Sequence, residues 1–267
     1  MSLLITCDTG GWRTPSRLRS HLAGTPLESS TSVSERLPSA SERQPIVAAA
    51  GDDPLSRTGI DREAYFAARR LAHRSGASLV CNEHRSDLID VGHSLHHREL
   101  FPLRARTLPP ATRDVIIEAI YTPYRQKVER QILSLLHHWS YVVHVSIRTF
   151  DAKTSQGSWR RGDVGLLYDP SHPDEVDWCL DFIEELYDLA PDLKVRRNHP
   201  GRGTNDSLTK TLRSKFSQEV YLGIEVVLNR AWMSRPVVLR DVVLDQIGEA
   251  IACLTAEPAS QQRAHAA

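Results

Sequence analysis

The chain opens on a branched apolar run, Leu3-Leu4-Ile5-Thr6, that drops directly into Cys7-Asp8-Thr9-Gly10-Gly11-Trp12-Arg13-Thr14-Pro15. Such a run, bounded by small, polar and glycine residues, reads as a buried strand ending in a tight loop. The same pattern recurs along the chain in alternation with helical periodicity, and this alternation is what most constrains the fold. It predicts α/β architecture with a largely parallel or mixed sheet. In open sheets of this kind, ligands collect just outside the carboxyl ends of strands. Asp8 and Thr9 therefore stand where chemistry is expected, although a hydroxyl beside the carboxylate is a weak ligand for a soft divalent metal.

Further elements follow the same logic. Ile60, Ala64, Ala67, Ala68, Leu71 and Ala72 recur at helical spacing before Gly76. Ser78 to Cys81 reads as a strand, and Leu88-Ile89-Asp90-Val91 as a second apolar patch running into Gly92-His93-Ser94. Pro109 and Pro110 introduce a helix that Pro123 must interrupt or kink. From Tyr141 to Phe150 the alternation is clearest: Tyr141, Val143, Val145 and Ile147 share one face, and His144, Ser146 and Arg148 the other. Strands are predicted at Val164–Tyr168, Leu193–Val195 and Val220–Leu228, with helices near 174–189, 208–216 and 238–254. Residues 1–256 read as one domain, the Ser-, Glu- and Pro-rich stretch 27–45 as a surface loop, and 257–267 as a disordered tail.

The 33 basic and 33 acidic residues balance, which gives no electrostatic basis for a nucleic-acid or membrane partner. No apolar run reaches the length of a membrane span, and the N-terminus lacks the regions of a signal peptide. Cys7, Cys81, Cys179 and Cys253 are scattered without paired spacing, as expected of buried thiols in a reducing cytoplasm.

Four collinear stretches resemble the N-formylglutamate amidohydrolase family: 6–15, 88–101, 144–170 and 198–229. Gly162-Asp163-Val164-Gly165-Leu166-Leu167-Tyr168-Asp169-Pro170 is similar to the family's wording, as is Tyr221-Leu222-Gly223-Ile224-Glu225 with Asn229 following. The resemblance implies a zinc-carboxypeptidase- and aspartoacylase-like fold. This is a three-layer α/β/α arrangement of phosphorylase/hydrolase type, with a mixed, largely parallel sheet. It also implies hydrolysis of a linear amide such as an N-formyl or N-acyl amino acid. There zinc polarises the carbonyl and activates water, a Glu shuttles the proton and an Arg holds the substrate carboxylate.

Matched residue by residue, this chain departs from that pattern. The family's first motif resembles Cys-Glu-His-Gly-Gly, so Thr9 stands where a His ligand is implied and Asp8 where the Glu stands. Asp61 matches the acidic ligand at the first helix. Arg148 stands at the second His, and His93 at the substrate Arg. Glu225, the implied proton shuttle, is kept. Zinc needs about three protein ligands and an open position, and a guanidinium cannot shed its charge beside a dication. The zinc that the family implies is therefore expected to be absent or weakly held, with Arg148 in its place pairing with Asp61 or Asp8. Three readings follow: an amidohydrolase, a non-catalytic homologue that binds a small anionic, amino-acid-like ligand or a protein partner in the same cleft, or a hydrolase whose metal site is rebuilt from His93, His97 or His144.

Plainer roles compete at several positions. Thr58 and Asp61 form a capping pattern before the apolar helix. Glu225 lies in an apolar strand, where an unpaired carboxylate is costly. It is read either as functional or as an ion pair with Arg202. His93, His96 and His97 could rebuild a metal site but are more often solvated in a polar loop. His144 reads as cleft residue or satisfied core histidine, and His199 is equally open. Asp163 is expected to orient neighbouring loops. Arg160-Arg161 and Arg196-Arg197 read as anion-binding pairs or solvated edges. Trp12 and Trp159 fall in loops near the site.

Overall fold

The computed structural model describes residues 1–25 and 61–255. The proposed loop 27–45, Thr58, Ile60 and the tail 257–267 lie outside the described residues.

Six strands form one sheet: β1 (Ser2–Cys7), β2 (Ser78–Cys81), β3 (Val142–Phe150), β4 (Val164–Leu167), β5 (Val195–Arg197) and β6 (Tyr221–Asn229), in the order β2-β1-β3-β6-β4-β5. All neighbours are parallel except β4 and β6, which run antiparallel. The sheet is thus mixed and largely parallel. The helices are α1 (Arg19–Leu22), α2 (Arg62–Ser75), α3 (Leu103–Arg106), α4 (Pro110–Ile116), α5 (Thr122–Leu136), α6 (Pro173–Leu189), α7 (Leu208–Arg213), α8 (Arg230–Met233) and α9 (Val237–Thr255). Between α4 and α5 the five residues Ile117–Tyr121 are π-helical. This stretch lies just before Pro123, which has no N–H to donate to the carbonyl four residues back in a regular helix.

The predicted alternation on β3 decides the layers. Leu3, Ile5, Val143, Val145, Ile147, Ile224 and Val226 form a core with residues of α2, α6 and α9. On the other face Leu4, Val80, Val142 and Tyr221 pack with residues of α4, α5 and α7. Each fully buried aliphatic side chain contributes roughly 1.5–3 kcal/mol. The second core covers only part of its face. Toward the carboxyl ends of β1, β3 and β6 the same face turns polar.

Some boundaries differ from the sequence reading. Leu88–Val91 is not a strand: Leu88, Ile89 and Val91 are buried, but in irregular turns between β2 and α3. The strand expected at 193–195 runs instead over Val195–Arg197. Cys7 and Cys179 are buried, whereas Cys81 is half-buried and Cys253 exposed.

Candidate functional site

The polar patch is built by register. Thr6, Ser146 and Glu225 are consecutive Cα partners across β1, β3 and β6, and so share one face. Asp8 and Arg148 follow one step further along. The loop after Asp90 covers them. A Cβ built on Gly92 would lie 3.0 Å from Asp90 Oδ1, 3.1 Å from Asp8 Oδ2 and 3.3 Å from Arg148 Nη1.

Arg148 keeps 22% of its side chain exposed, and its Nη2 lies 3.4 Å from Asp90 Oδ2. Burial opposes its charge, but Asp90, Glu225, Asp8 and Asp61 together raise its pKa above the ordinary arginine value. Its direct partner is thus Asp90, not the Asp61 or Asp8 anticipated. Asp90 itself was not singled out in the sequence, because the pairing depends on how loop 90–94 folds back over the sheet.

Asp8 accepts a 2.5 Å hydrogen bond from the hydroxyl of Tyr124 on α5. Burial pushes its carboxyl upward, while Arg148 and the Tyr124 hydroxyl pull it back. The Tyr124 phenol is driven well above its usual range by burial and then by the Asp8 charge. Next to it on the helix, Arg125 is buried. Its guanidinium donates to Tyr121 Oη, the His93 carbonyl and Thr211 Oγ1, while Nη1 has no partner among the described residues.

Asp61 is the N-cap of α2, its Oδ1 accepting from the Ala64 N–H at 3.1 Å. Its Oδ2 accepts from Thr9 Oγ1 at 3.2 Å, Thr149 Oγ1 at 2.7 Å and the Thr149 N–H at 3.3 Å. Arg230 Nη2 lies 3.6 Å from the same oxygen. Thr9, Asp61 and the segment carrying Arg148 therefore do converge, although 52 residues separate the first two. The carboxylate is consumed by hydrogen bonds where they meet.

Glu225 is buried on β6, and its Oε1 accepts from Thr209 Oγ1 at 2.9 Å. Arg202 is exposed, and no ion pair joins it to Glu225 among the described residues, which corrects the proposed pairing. The buried arginine pair on this side is different. Arg213 Nε bonds Glu175 Oε1 at 2.5 Å, and its Nη atoms donate to the carbonyls of Gly203 and Gly223.

His144 lies deeper than the cleft. Its Nε2 is 2.8 Å from Thr6 Oγ1 and its Nδ1 2.6 Å from Tyr221 Oη, so both ring nitrogens are engaged. Burial, with a smaller contribution from Arg213, lowers its pKa to about 3. The cleft assignment is corrected: His144 is a core bridge between strands. Asp163 ties β4 to the segment before β5, its Oδ2 accepting from the Lys194 N–H at 3.0 Å.

His93 lies between two carboxylates, with Nε2 3.7 Å from Asp90 Oδ2 and Nδ1 3.4 Å from Asp206 Oδ2. Its ring stacks on His97, centroids 3.9 Å apart. Donor atoms of His93, His97 and Glu99 lie within 4.8 Å of one another. However, His97 Nδ1 already accepts from the Glu99 N–H, which leaves that ring one free nitrogen. His96 is exposed.

A mixed, largely parallel sheet between helical layers, with clustered carboxylates and a fixed arginine at its strand ends, defines the α/β class of this protein. Solved structures agree on the fold. A gene product of Agrobacterium tumefaciens matches with a TM-score of 0.68 at 17% identity, over 96% of this chain and 92% of that one. An N-formylglutamate amidohydrolase from Ralstonia eutropha matches with a TM-score of 0.60 at 14% identity, over 93% of this chain and 92% of that one. No protein-family model matches the chain, and no curated protein does. This chain has the fold of those two proteins. Among the described residues no helix is long and apolar enough to cross a membrane.

Proposed function

We infer that this chain is a metal-independent protein on the N-formylglutamate amidohydrolase fold, binding a small amino-acid-like ligand at the strand ends instead of hydrolysing an amide with zinc. One observation carries the reading. Where the family resemblance implies three zinc ligands, the chain holds a threonine hydroxyl, a guanidinium and an aspartate already accepting four hydrogen bonds. A guanidinium offers no lone pair, and its fixed charge repels a dication. Zinc prefers imidazole, thiolate or free carboxylate donors. The donor set does not fit zinc.

Arg148 takes over the electrostatic task. It neutralises part of a carboxylate cluster that would otherwise repel itself, and its own charge is favoured by that cluster. Asp90, Asp8 and Glu225 suit N–H or ammonium groups of a ligand, and Arg148 suits a polarised carbonyl or carboxylate.

The test is elemental analysis of the purified full chain, together with formate release from N-formylglutamate in the presence and absence of added zinc. Substoichiometric metal and no formate under either condition are expected. One tightly held zinc per chain with turnover would overturn the reading in favour of an amidohydrolase. Loss of that zinc in His97→Ala would place the metal at the His93–His97–Glu99 group.

A further inference from the structure

On the β4–β5 side of the same strand ends, basic groups gather without acidic partners. Lys153, Arg160, Arg161, Lys194, Arg196 and Arg197 form no ion pair among the described residues. Charges on an edge strand often only discourage pairing with another chain. Arg197 fits that plain role: it faces α6, where its charge is felt by Cys179.

Arg196 is placed differently. It is the Cα partner of Gly165, which in turn pairs Val227 and through it Arg148, so Arg196 lies on the face of the site. Its stem rests over Gly162, whose φ of 120° suits glycine. A Cβ there would lie 2.9 Å from Arg196 Cγ. A Cβ at Gly165 would lie 1.8 Å from the His199 carbonyl oxygen, so the bare glycine lets the His199 loop settle onto β4.

His199 meets the Phe150 ring edge-on at 5.9 Å, and its buried Nε2 has no hydrogen-bond partner among the described residues. Arg160 Nη1 is fixed by the carbonyls of Asp151 at 2.9 Å and Lys153 at 3.3 Å, and Nη2 and Nε have no hydrogen-bond partner among the described residues. Burial first, and then the charges of Arg160 and Arg196, hold the His199 ring below the ordinary histidine range. Of the nearby carboxylates, Asp163 accepts from the Lys194 N–H and Asp151 pairs with Arg230.

We propose that Arg160, Arg196 and His199 form an oxyanion subsite that takes the phosphoryl or carboxylate end of the ligand bound at Arg148. Phe150, whose ring His199 meets, stands two residues beyond Arg148 on the same face of β3, a step of roughly 7 Å. The Arg196 backbone lies three strand spacings from Arg148, roughly 14 Å, a gap that the two long guanidinium side chains shorten. Guanidinium groups suit the planar, two-oxygen recognition of such anions. The acidic Asp90, Asp8 and Glu225 alongside would repel a polyanionic backbone, which favours a small ligand. This assignment rests on the binding reading above, but its test does not depend on metal content.

The experiment is calorimetric titration of the full chain with inorganic phosphate and, separately, acetate, at constant ionic strength. At least one is expected to bind more tightly than chloride, and the preferred anion distinguishes phosphoryl from carboxylate. Arg196→Ala is expected to weaken it by about tenfold or more, with Arg160→Ala and His199→Ala weakening it in the same direction. Arg197→Ala, on the opposite face of the same strand, should change it by no more than about twofold. Equal losses in Arg196→Ala and Arg197→Ala would overturn the subsite, as would no preference over chloride. A thymidine oligonucleotide that binds more tightly than phosphate, with affinity falling steeply in salt, would overturn the small-ligand assignment. Should the anion bind as described while the chain proves to hold zinc, the subsite stands and the metal-independent reading falls.

Discussion

His144 makes the stability of this protein dependent on pH in a way that can be worked out in advance. In the native chain its ring is fully buried between Thr6 and Tyr221, and its pKa falls from 6.5 to about 3. A neutral imidazole has one donor and one acceptor nitrogen, and both hydroxyl partners can adapt to either tautomer. Above pH 6.5 the ring is neutral in both folded and unfolded chains and contributes no pH dependence. Between pH 6.5 and about 3, the unfolded chain binds a proton that the folded ring refuses. Stability is therefore lost as pH falls through this window, by about 1.4 kcal/mol per unit once well below 6.5. At pH 5.0 the accumulated loss is about 2 kcal/mol. That figure is fixed by the unfolded pKa as long as the folded one lies well below 5. It is a sizeable part of the roughly 5–15 kcal/mol that stabilises a typical domain.

Urea unfolding of the wild type and His144→Gln at pH 7.5 and 5.0 isolates the effect, because glutamine keeps polar contacts but does not titrate. Asp8, His84 and His199 also shift, yet their contributions are common to both proteins and cancel in the comparison. The wild type should lose about 2 kcal/mol more than the variant between the two pH values. Equal losses would refute the argument, as would an imidazole signal from folded His144 titrating near pH 6.5.

Other expectations concern single contacts. Arg213→Met should cost about 3–5 kcal/mol in chemical denaturation, because it strands the buried Glu175 carboxylate. Restoring the charge balance with Glu175→Gln in the same chain should recover part of that loss, and no recovery would count against a buried pair. Asp61→Ala should cost at least about 1–2 kcal/mol, since it removes the α2 cap together with the links to Thr9 and Thr149. An effect within about 0.5 kcal/mol would mean that these bonds are not formed in solution. The paired substitution Thr9→His with Arg148→His should raise zinc content from a trace to about one per chain, because it supplies the donors zinc prefers. Failure of that folded variant to take up zinc would show that Asp61 does not leave its present partners.

The periodicities laid down the sheet well. Alternation along 141–150 assigned both faces of β3 correctly because the face each side chain takes follows from strand geometry alone. Leu88–Val91, an apolar patch in the sequence, is buried in irregular turns, since a short apolar run signals burial but not backbone conformation. The drift from 193–195 to Val195–Arg197 arises at an edge, where charged residues can occupy a strand without a periodic signal.

Sequence by itself determined the alternating α/β plan and the opening strand that delivers Asp8 and Thr9 to the sheet's carboxyl edge. The family resemblance drew attention to residues 9, 93 and 148. Their partners were set only by tertiary structure. Tyr124 reaches Asp8 across 116 positions, Thr149 reaches Asp61 across 88, and Asp90 reaches Arg148 across 58. Periodicity reports which way a side chain faces within its own element. Which carboxylate meets which guanidinium depends on how separate elements and loops dock, and that docking turned His144 into a core bridge and left Arg196 beside His199.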